Sequence, residues 1–206
     1  MKTVPTGWQE GRLVLAVALA LALVGCARSM PVQYYQLSAT AAAPPAANLS
    51  LPANAVIALA PVRLPAYLDR SQIVSRSSAN RLHLSDQKRW AEPLADNVQR
   101  VLLEDLAGLL GSAHVLSQAW LDGQKPVATL AVEVLQFEIG ANGSAVLLAQ
   151  WQAMGQDGLP LLSARTSTFQ VAPTASSQEG RVAALSQTVS LLAHEIAAAL
   201  PPLLAH

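Results

Sequence analysis

The 206-residue chain has a single cysteine, Cys26, so no intrachain disulfide can form and the fold must be held by its core. Charge is scarce, at 13% of residues, and its signs balance, with 13 Lys and Arg against 13 Asp and Glu. No basic field therefore exists to gather nucleic acid or to dock on anionic lipid. A Gly-rich phosphate loop and a Gly-x-Ser-x-Gly elbow are both missing. The histidines, His83, His114, His194 and His206, stand far apart, and none has a second ligand at metal spacing. No enzymatic activity, metal or dissociable cofactor is expected. The chain also lacks an apolar run long enough for a membrane near its start. Leu13 to Val24, built of Leu, Ala and Val alone, rises ~18 Å as a helix, short of a ~30 Å hydrocarbon core.

That short run follows a head with Lys2 and Arg12 and ends in small residues, the layout of a secretory signal. Its final Leu23-Val24-Gly25-Cys26 resembles the lipobox of bacterial lipoproteins. The resemblance implies that residues 1–25 are a signal peptide and that Cys26 becomes the first residue, acylated on its thiol and amine. A plain signal peptide with a chance cysteine is the alternative. Acyl chains contribute ~0.8 kcal/mol per buried CH₂, so two or more anchor stably where one is marginal. Residues 26–33 then form a tether, of which Ala27 to Gln33 spans at most ~25 Å. Position 27 is Ala where Asp would resemble an inner-membrane retention signal, which points to the outer membrane, facing the periplasm.

The remainder, residues 34–206, reads as one domain. Outside the signal, eleven Lys and Arg face twelve Asp and Glu. Tyr34 to Leu37 favours a strand, and Ala39 to Asn54 is an Ala/Pro-rich loop. Ala55 to Pro61 suits a buried strand that ends or bends where Pro61 and Pro65 bracket Val62-Arg63-Leu64. Gln72 to Arg76 and Arg81 to Leu84 form a ribbon. Trp90 to Gly111 has helical spacing at Leu94, Val98, Val101, Leu102, Leu106 and Leu109, with Gln99 on the opposite side. Trp90 is a core anchor rather than a ligand platform. A short strand at His114 to Ser117 follows.

From Val127 the period becomes two. Asn142-Gly143 and Asp157-Gly158 mark hairpin turns between strands 128–139, 144–154 and 161–171. The apolar phase flips near Val134–Leu135, which predicts a bulge. The hydroxyl-rich stretch Ser163 to Thr168 suits an edge. A last helix, Gln178 to Leu200, is stopped by Pro201-Pro202 and places His194-Glu195 on its rim. The expected fold is α+β, an antiparallel sheet of about four to five strands with two long helices packed on one face.

Several segments in this order resemble one family. They are Cys26 in its lipobox, Tyr34-Tyr35-Gln36-Leu37, and Val62 to Val74 with its Pro-x-Tyr-Leu-Asp-Arg core. Arg89-Trp90-Ala91-Glu92-Pro93-Leu94 and Leu148-Ala149-Gln150-Trp151 complete the set. Together they resemble the ABC-type transport auxiliary lipoproteins of the PqiC type, with Ser71 standing where the family often has Pro. The resemblance implies an accessory subunit of an intermembrane lipid transport system, working with a permease, an ATPase and a periplasmic MCE-domain protein. Its partners would be the membrane, through acylated Cys26, and the MCE-domain protein, without nucleic acid. A ring-forming homo-oligomer is expected on such a tube-like partner.

Tyr67, Leu68, Asp69 and Arg70 are the candidate partner contact. The competing reading has Tyr67 and Leu68 capping the core, with Asp69-Arg70 a loop ion pair. Two other functions compete with the docking subunit. A lipid-carrying chaperone would hold acyl chains in its own cavity, and an enzyme acting on cell-wall material would need a catalytic set that the chain lacks.

Overall fold

Apolar alternation, hairpin glycines and two helical stripes are realised in a computed structural model that describes residues 30–40, 51, 55–111, 115–200 and 204. Chain contacts separate a unit Met1–Val32 from a unit Gln33–His206. In the first, Met30 to Val32 are exposed and irregular, while Cys26 lies outside the described residues. The second unit contains β1 (Gln33–Tyr35), β2 (Ile57–Leu59), β3 (Gln72–Ser78), β4 (Arg81–Trp90) and helix α1 (Leu94–Leu110). It continues with β5 (Val115–Ser117), a 3₁₀ turn (Gln118–Trp120), β6 (Ala128–Ile139), β7 (Ala145–Gly155), β8 (Pro160–Val171) and helix α2 (Gln178–Ala199).

The expected antiparallel sheet of four or five strands is corrected to a mixed sheet of eight. Long β6 is its spine. Along one side it pairs antiparallel with β7, and β7 pairs antiparallel with β8, whose other edge has no partner strand among the described residues. The opposite side of β6 is shared. Parallel β2 takes its first half, with parallel β5 outside, and β3 meets its far end at Ser75↔Ile139. Antiparallel β4 and parallel β1 then extend the sheet beyond β3. Sequence pattern placed strands at or beside β1, β2 and β5 but not their parallel pairings, because each has only three residues and finds its partner far away in the chain.

Proline chemistry explains the split edge. Ala60 N–H donates to Leu130 O at 2.9 Å, but Pro61 has no N–H to continue the ladder. The chain still follows β6, through Arg63 N–H to Val132 O at 3.2 Å and Val134 N–H to Arg63 O at 2.9 Å. Strand β2 therefore ends where expected, and Arg63 is laid beside Glu133.

The expected bulge is present between Val134 and Gln136. Ahead of it Leu130, Val132 and Val134 are buried, and after it Phe137 and Ile139 are, so Glu138 turns to the opposite face. In β7, Ala145, Leu147, Ala149, Trp151 and Ala153 share the buried face. Helix α2 packs against β6, β7 and β8, and α1 packs against α2 and β5.

Helix α1 starts at Leu94 rather than Trp90. Pro93 drives the residue before it out of helical backbone, so Trp90 ends β4 as a buried anchor. Gln99 does not face solvent; it donates to Ser117 Oγ at 3.3 Å and accepts from Val62 N–H at 3.2 Å. Helix α2 opens on Ser177, whose hydroxyl accepts from Gly180 N–H at 3.1 Å. It is long and apolar enough to cross a membrane, yet its apolar residues are mostly buried in the core. Glycines at φ 83° (Gly143) and 77° (Gly158) turn both hairpins, as their Asn-Gly and Asp-Gly dipeptides require.

Candidate functional site

Pro65 opens a tight turn in which Leu68 N–H donates to Pro65 O at 2.9 Å and Arg70 N–H to Leu68 O at 2.8 Å. This turn divides the four candidate contact residues. Leu68 is 1% exposed and Tyr67 is half-buried, whereas Asp69 and Arg70 are exposed. The Asp69–Arg70 ion pair expected from sequence does not form; the described ion pairs are Arg76–Glu138, Arg100–Glu92 and Arg100–Glu104.

Beneath Tyr67 lies a group that sequence reasoning missed. Glu138 is fully buried on the face away from the helices, where the bulge has turned it. Its Oε1 is ion-paired with Arg76 Nε and accepts from Gln136 Nε2 at 2.8 Å, and the Tyr67 phenol lies beside the carboxylate. Burial, and then the charge of Glu138, push the Tyr67 phenol up to about 12. The phenol therefore stays protonated beside the carboxylate. The inward half of the turn is thus fixed by packing and electrostatics, which leaves Asp69-Arg70 as its presented half. Arg76 and Glu138 are 62 residues apart in sequence, so no local pattern could have signalled the pair.

A second constellation fastens the segment after β1. Leu37 N–H donates to Asn97 Oδ1 at 3.1 Å, and Arg100 Nη2 donates to Leu37 O at 2.9 Å. Gln36 Nε2 reaches Glu92 Oε1 at 3.0 Å, as does Arg100 Nη2 at 3.1 Å, and Ala91 N–H meets Tyr35 O at 2.8 Å. From the other side Ser38 N–H donates to Ser186 Oγ at 3.2 Å on α2. Residues 35–38 thus form a strap held by both helices. Farther along α1, Asp105 is 2% exposed, and among the described residues no side chain bonds its carboxylate. Burial, with a contribution from the charge of Glu104, raises its carboxyl to about 6, against a pull downward from the main chain at Thr40.

Glu195 is also better tied than a rim residue. Ser167 Oγ donates to Glu195 Oε1 at 2.6 Å, and Trp151 Nε1 donates to Ser167 Oγ at 3.1 Å and to Glu195 at 3.3 Å. These bonds fix α2 to β7 and β8; His194 is exposed and no histidine joins them. Among the described residues no group of three His, Cys, Asp or Glu could hold a metal ion.

Comparison with known proteins agrees with the motifs. A family model described as the ABC-type transport auxiliary lipoprotein component matches residues 35–197. The fold resembles protein XCC0632 from Xanthomonas campestris at TM-score 0.69 and 17% identity, covering 84% of this chain and 96% of that one. It also resembles an uncharacterized protein of known crystal structure at TM-score 0.68 and 20% identity, covering 82% and 98%. A looser likeness, TM-score 0.40 at 16% identity over 82% and 96%, is to a PelC dodecamer from Paraburkholderia phytofirmans. Among curated proteins none matches. The strap, the Pro65 turn and the hairpins all lie within the matched span, and the chain belongs to the ABC-type transport auxiliary lipoprotein family.

Proposed function

We propose that the protein is a lipid-anchored accessory subunit of an intermembrane transport system, held at the outer membrane through acylated Cys26. The carrying observation is the family match over residues 35–197, which starts nine positions after the lipobox cysteine. Acylation supplies the membrane attachment that a near-neutral surface cannot supply electrostatically. The strap matters mechanically, because it fixes the chain just after β1 to both helices.

In this reading the domain docks a periplasmic MCE-domain component through the presented Asp69-Arg70 half of the turn. Exposed, unpaired charges on a rigid turn suit partner recognition better than catalysis. The free edge of β8, with Ser163, Arg165, Thr166 and Thr168 exposed, favours a homo-oligomer formed by edge pairing. The runner-up is a periplasmic chaperone that holds acyl chains itself. Two grooves among the described residues carry charged or amide side chains, which favours docking over an acyl cavity: one mixes Tyr35 and Val182 with Gln36, Ser38 and Glu179, and another adds Arg63, Glu133 and glutamines to an apolar floor.

Crosslinking and pull-down from intact envelopes tests the docking subunit. Wild-type protein should capture a periplasmic MCE-domain protein, and Cys26→Ser should leave the membrane fraction and lose labelling by radioactive palmitate. Palmitate in the Cys26→Ser protein would refute the anchor. Stoichiometric lipid carried by a monomer with no captured protein would favour the chaperone instead.

A further inference from the structure

On the sheet face away from α2, a groove of ≈ 420 Å³ crosses β6, β7 and β8 between the Pro61–Arg63 segment and the 3₁₀ turn. Its cause is local. Ala131 of β6 stands opposite Gln152 of β7, and Ala164 of β8 lies where the β7–β8 register slips between Trp151 and Ala153. Two short side chains beside a bulge leave a hollow whose lining is mostly apolar. On its rim Arg63 and Glu133 are neighbours in a parallel bridge and both are exposed, yet they form no ion pair among the described residues. Trp120 stands outside the groove. It is 76% exposed, more than any other large apolar side chain among the described residues, and it follows two positions after Gln118, which does line the groove.

We propose that this groove seats Trp120 of a second copy of the chain, the two copies exchanging tryptophans across a two-fold axis. A knob and a hollow that lie close on one chain without meeting are joined by such a rotation, because the operation that seats one Trp120 also seats the other. Each indole takes about 150–250 Å² out of water when it is buried, and tryptophan is among the side chains that dominate contacts of this kind. Charge names the occupant. Arg63 and Glu133, side by side and unpaired, form a pattern complementary to itself: after half a turn each arginine meets the glutamate of the other copy. One charge of each sign selects neither a phosphate-rich polymer nor an acidic surface. An acyl chain laid in the groove would cover its apolar floor but desolvate both charges without pairing them. The contact is separate from edge pairing at β8, and it depends neither on the transport role nor on acylation of Cys26.

The test uses the full-length protein with the photoreactive substitution Trp120→benzoylphenylalanine, which keeps an aromatic knob. Irradiation of intact envelopes, and of the purified protein in detergent micelles, should give a covalent homodimer whose adduct maps to Ala131, Gln152 or Ala164. Trp120→Ala should lower the dimer fraction in sedimentation about tenfold with unchanged melting temperature, since that side chain lies on the surface. Charge exchange is the decisive arm. With the photoreactive group in place, Arg63→Glu and Glu133→Arg proteins should each fail to crosslink alone. Differently tagged and mixed, they should crosslink to one another at the unsubstituted level, because the mixture restores both opposite pairs. A pairing of Arg63 with Glu133 inside one chain cannot be rescued by mixing. A homodimer with its adducts elsewhere, or one that survives Trp120→Ala, would overturn the proposal and leave the edge of β8 as the contact between copies. An unlinked monomer, or an adduct to a different protein in the envelopes, would overturn it as well.

Discussion

Arg100 Nη2 donates to the main-chain carbonyl of Leu37 at 2.9 Å, across 63 residues of sequence. The same guanidinium reaches Asn97, Glu92 and Glu104, so one side chain joins the strap to the start of α1. Only a planar fork with several donors can serve so many acceptors from one position. The Glu-Pro-Leu part of the family motif is thereby explained: Glu92 is an acceptor for Arg100 and Gln36, and Pro93 starts the helix that carries Asn97 and Arg100.

Arg100→Ala should therefore destabilise the domain by about 2–3 kcal/mol, because it removes charge-assisted bonds and leaves Leu37 O without its partner. Arg100→Lys should recover less than half of the loss, since an ammonium cannot span the same acceptors. Thermal unfolding of the two variants checks both statements. Full recovery by lysine would show that charge alone matters there.

Asp105 predicts a pH dependence. Its folded carboxyl titrates at about 6, above the ~3.9 of an unfolded aspartate, so the folded state holds its proton more tightly. Stability should then fall as pH rises from ~4 to 6, and the full penalty should persist above that window. Asp105→Asn should raise the melting temperature at pH 7.5, by an amount corresponding to about 2–3 kcal/mol, and flatten the slope between pH 4 and 6. An unchanged slope in Asp105→Asn would assign the pH dependence to other groups.

Much of this architecture is legible in the sequence where its cause is local. The phase flip at Val134–Leu135 announces the bulge, Asn142-Gly143 and Asp157-Gly158 announce the hairpins, and Val182 to Ile196 announces the stripe of α2. The remainder depends on pairings between distant residues. Strand β4 runs on through Ser85-Asp86-Gln87-Lys88, which has no apolar alternation: this stretch bulges out between the Leu84 and Arg89 pairings with β3, and Lys88 is picked up by Gln33 of β1. Parallel β2 and β5 are too short to show a period. The site behaves likewise: Pro65 to Arg70 reads as a turn, but the burial of Tyr67 depends on Glu138, which a bulge 70 residues away delivers. Sequence offered one usable sign, a Glu beyond the flip that falls on the face opposite Phe137 and Ile139.

Helix α1 offers a test of facing. Val98 is fully buried, so Val98→Asp should destabilise by several kcal/mol and shift melting by many degrees. Gln99, placed opposite by helical phase, bonds both Val62 and Ser117, so Gln99→Asp should itself be destabilising by about 1 kcal/mol. Asp96, exposed in the first turn, is the neutral control, and Asp96→Asn should change stability by about 0.5 kcal/mol or less. Equal melting of Val98→Asp and Asp96→Asn would contradict the packing of α1.

The turn after Pro65 can be split into its two halves by mutation. Leu68 sits in the core at 1% exposure, so Leu68→Ala should destabilise by about 2–4 kcal/mol through the cavity it leaves. Tyr67→Phe removes only the phenol hydroxyl beside Glu138 and should be milder. It should also abolish the alkaline loss of stability that a phenol raised to about 12 contributes between pH 10 and 12. Asp69 and Arg70 are exposed and make no ion pair with each other, so Asp69→Ala with Arg70→Ala should leave melting unchanged. If the presented half docks the partner, that double variant should lose crosslinking in intact envelopes while Leu68→Ala, assayed below its melting temperature, keeps it. The reverse pattern, with crosslinking lost in Leu68→Ala and intact in the double variant, would make the turn a core cap and move the docking surface elsewhere. Melting separates the two accounts because a cap is read in stability and a contact only in capture.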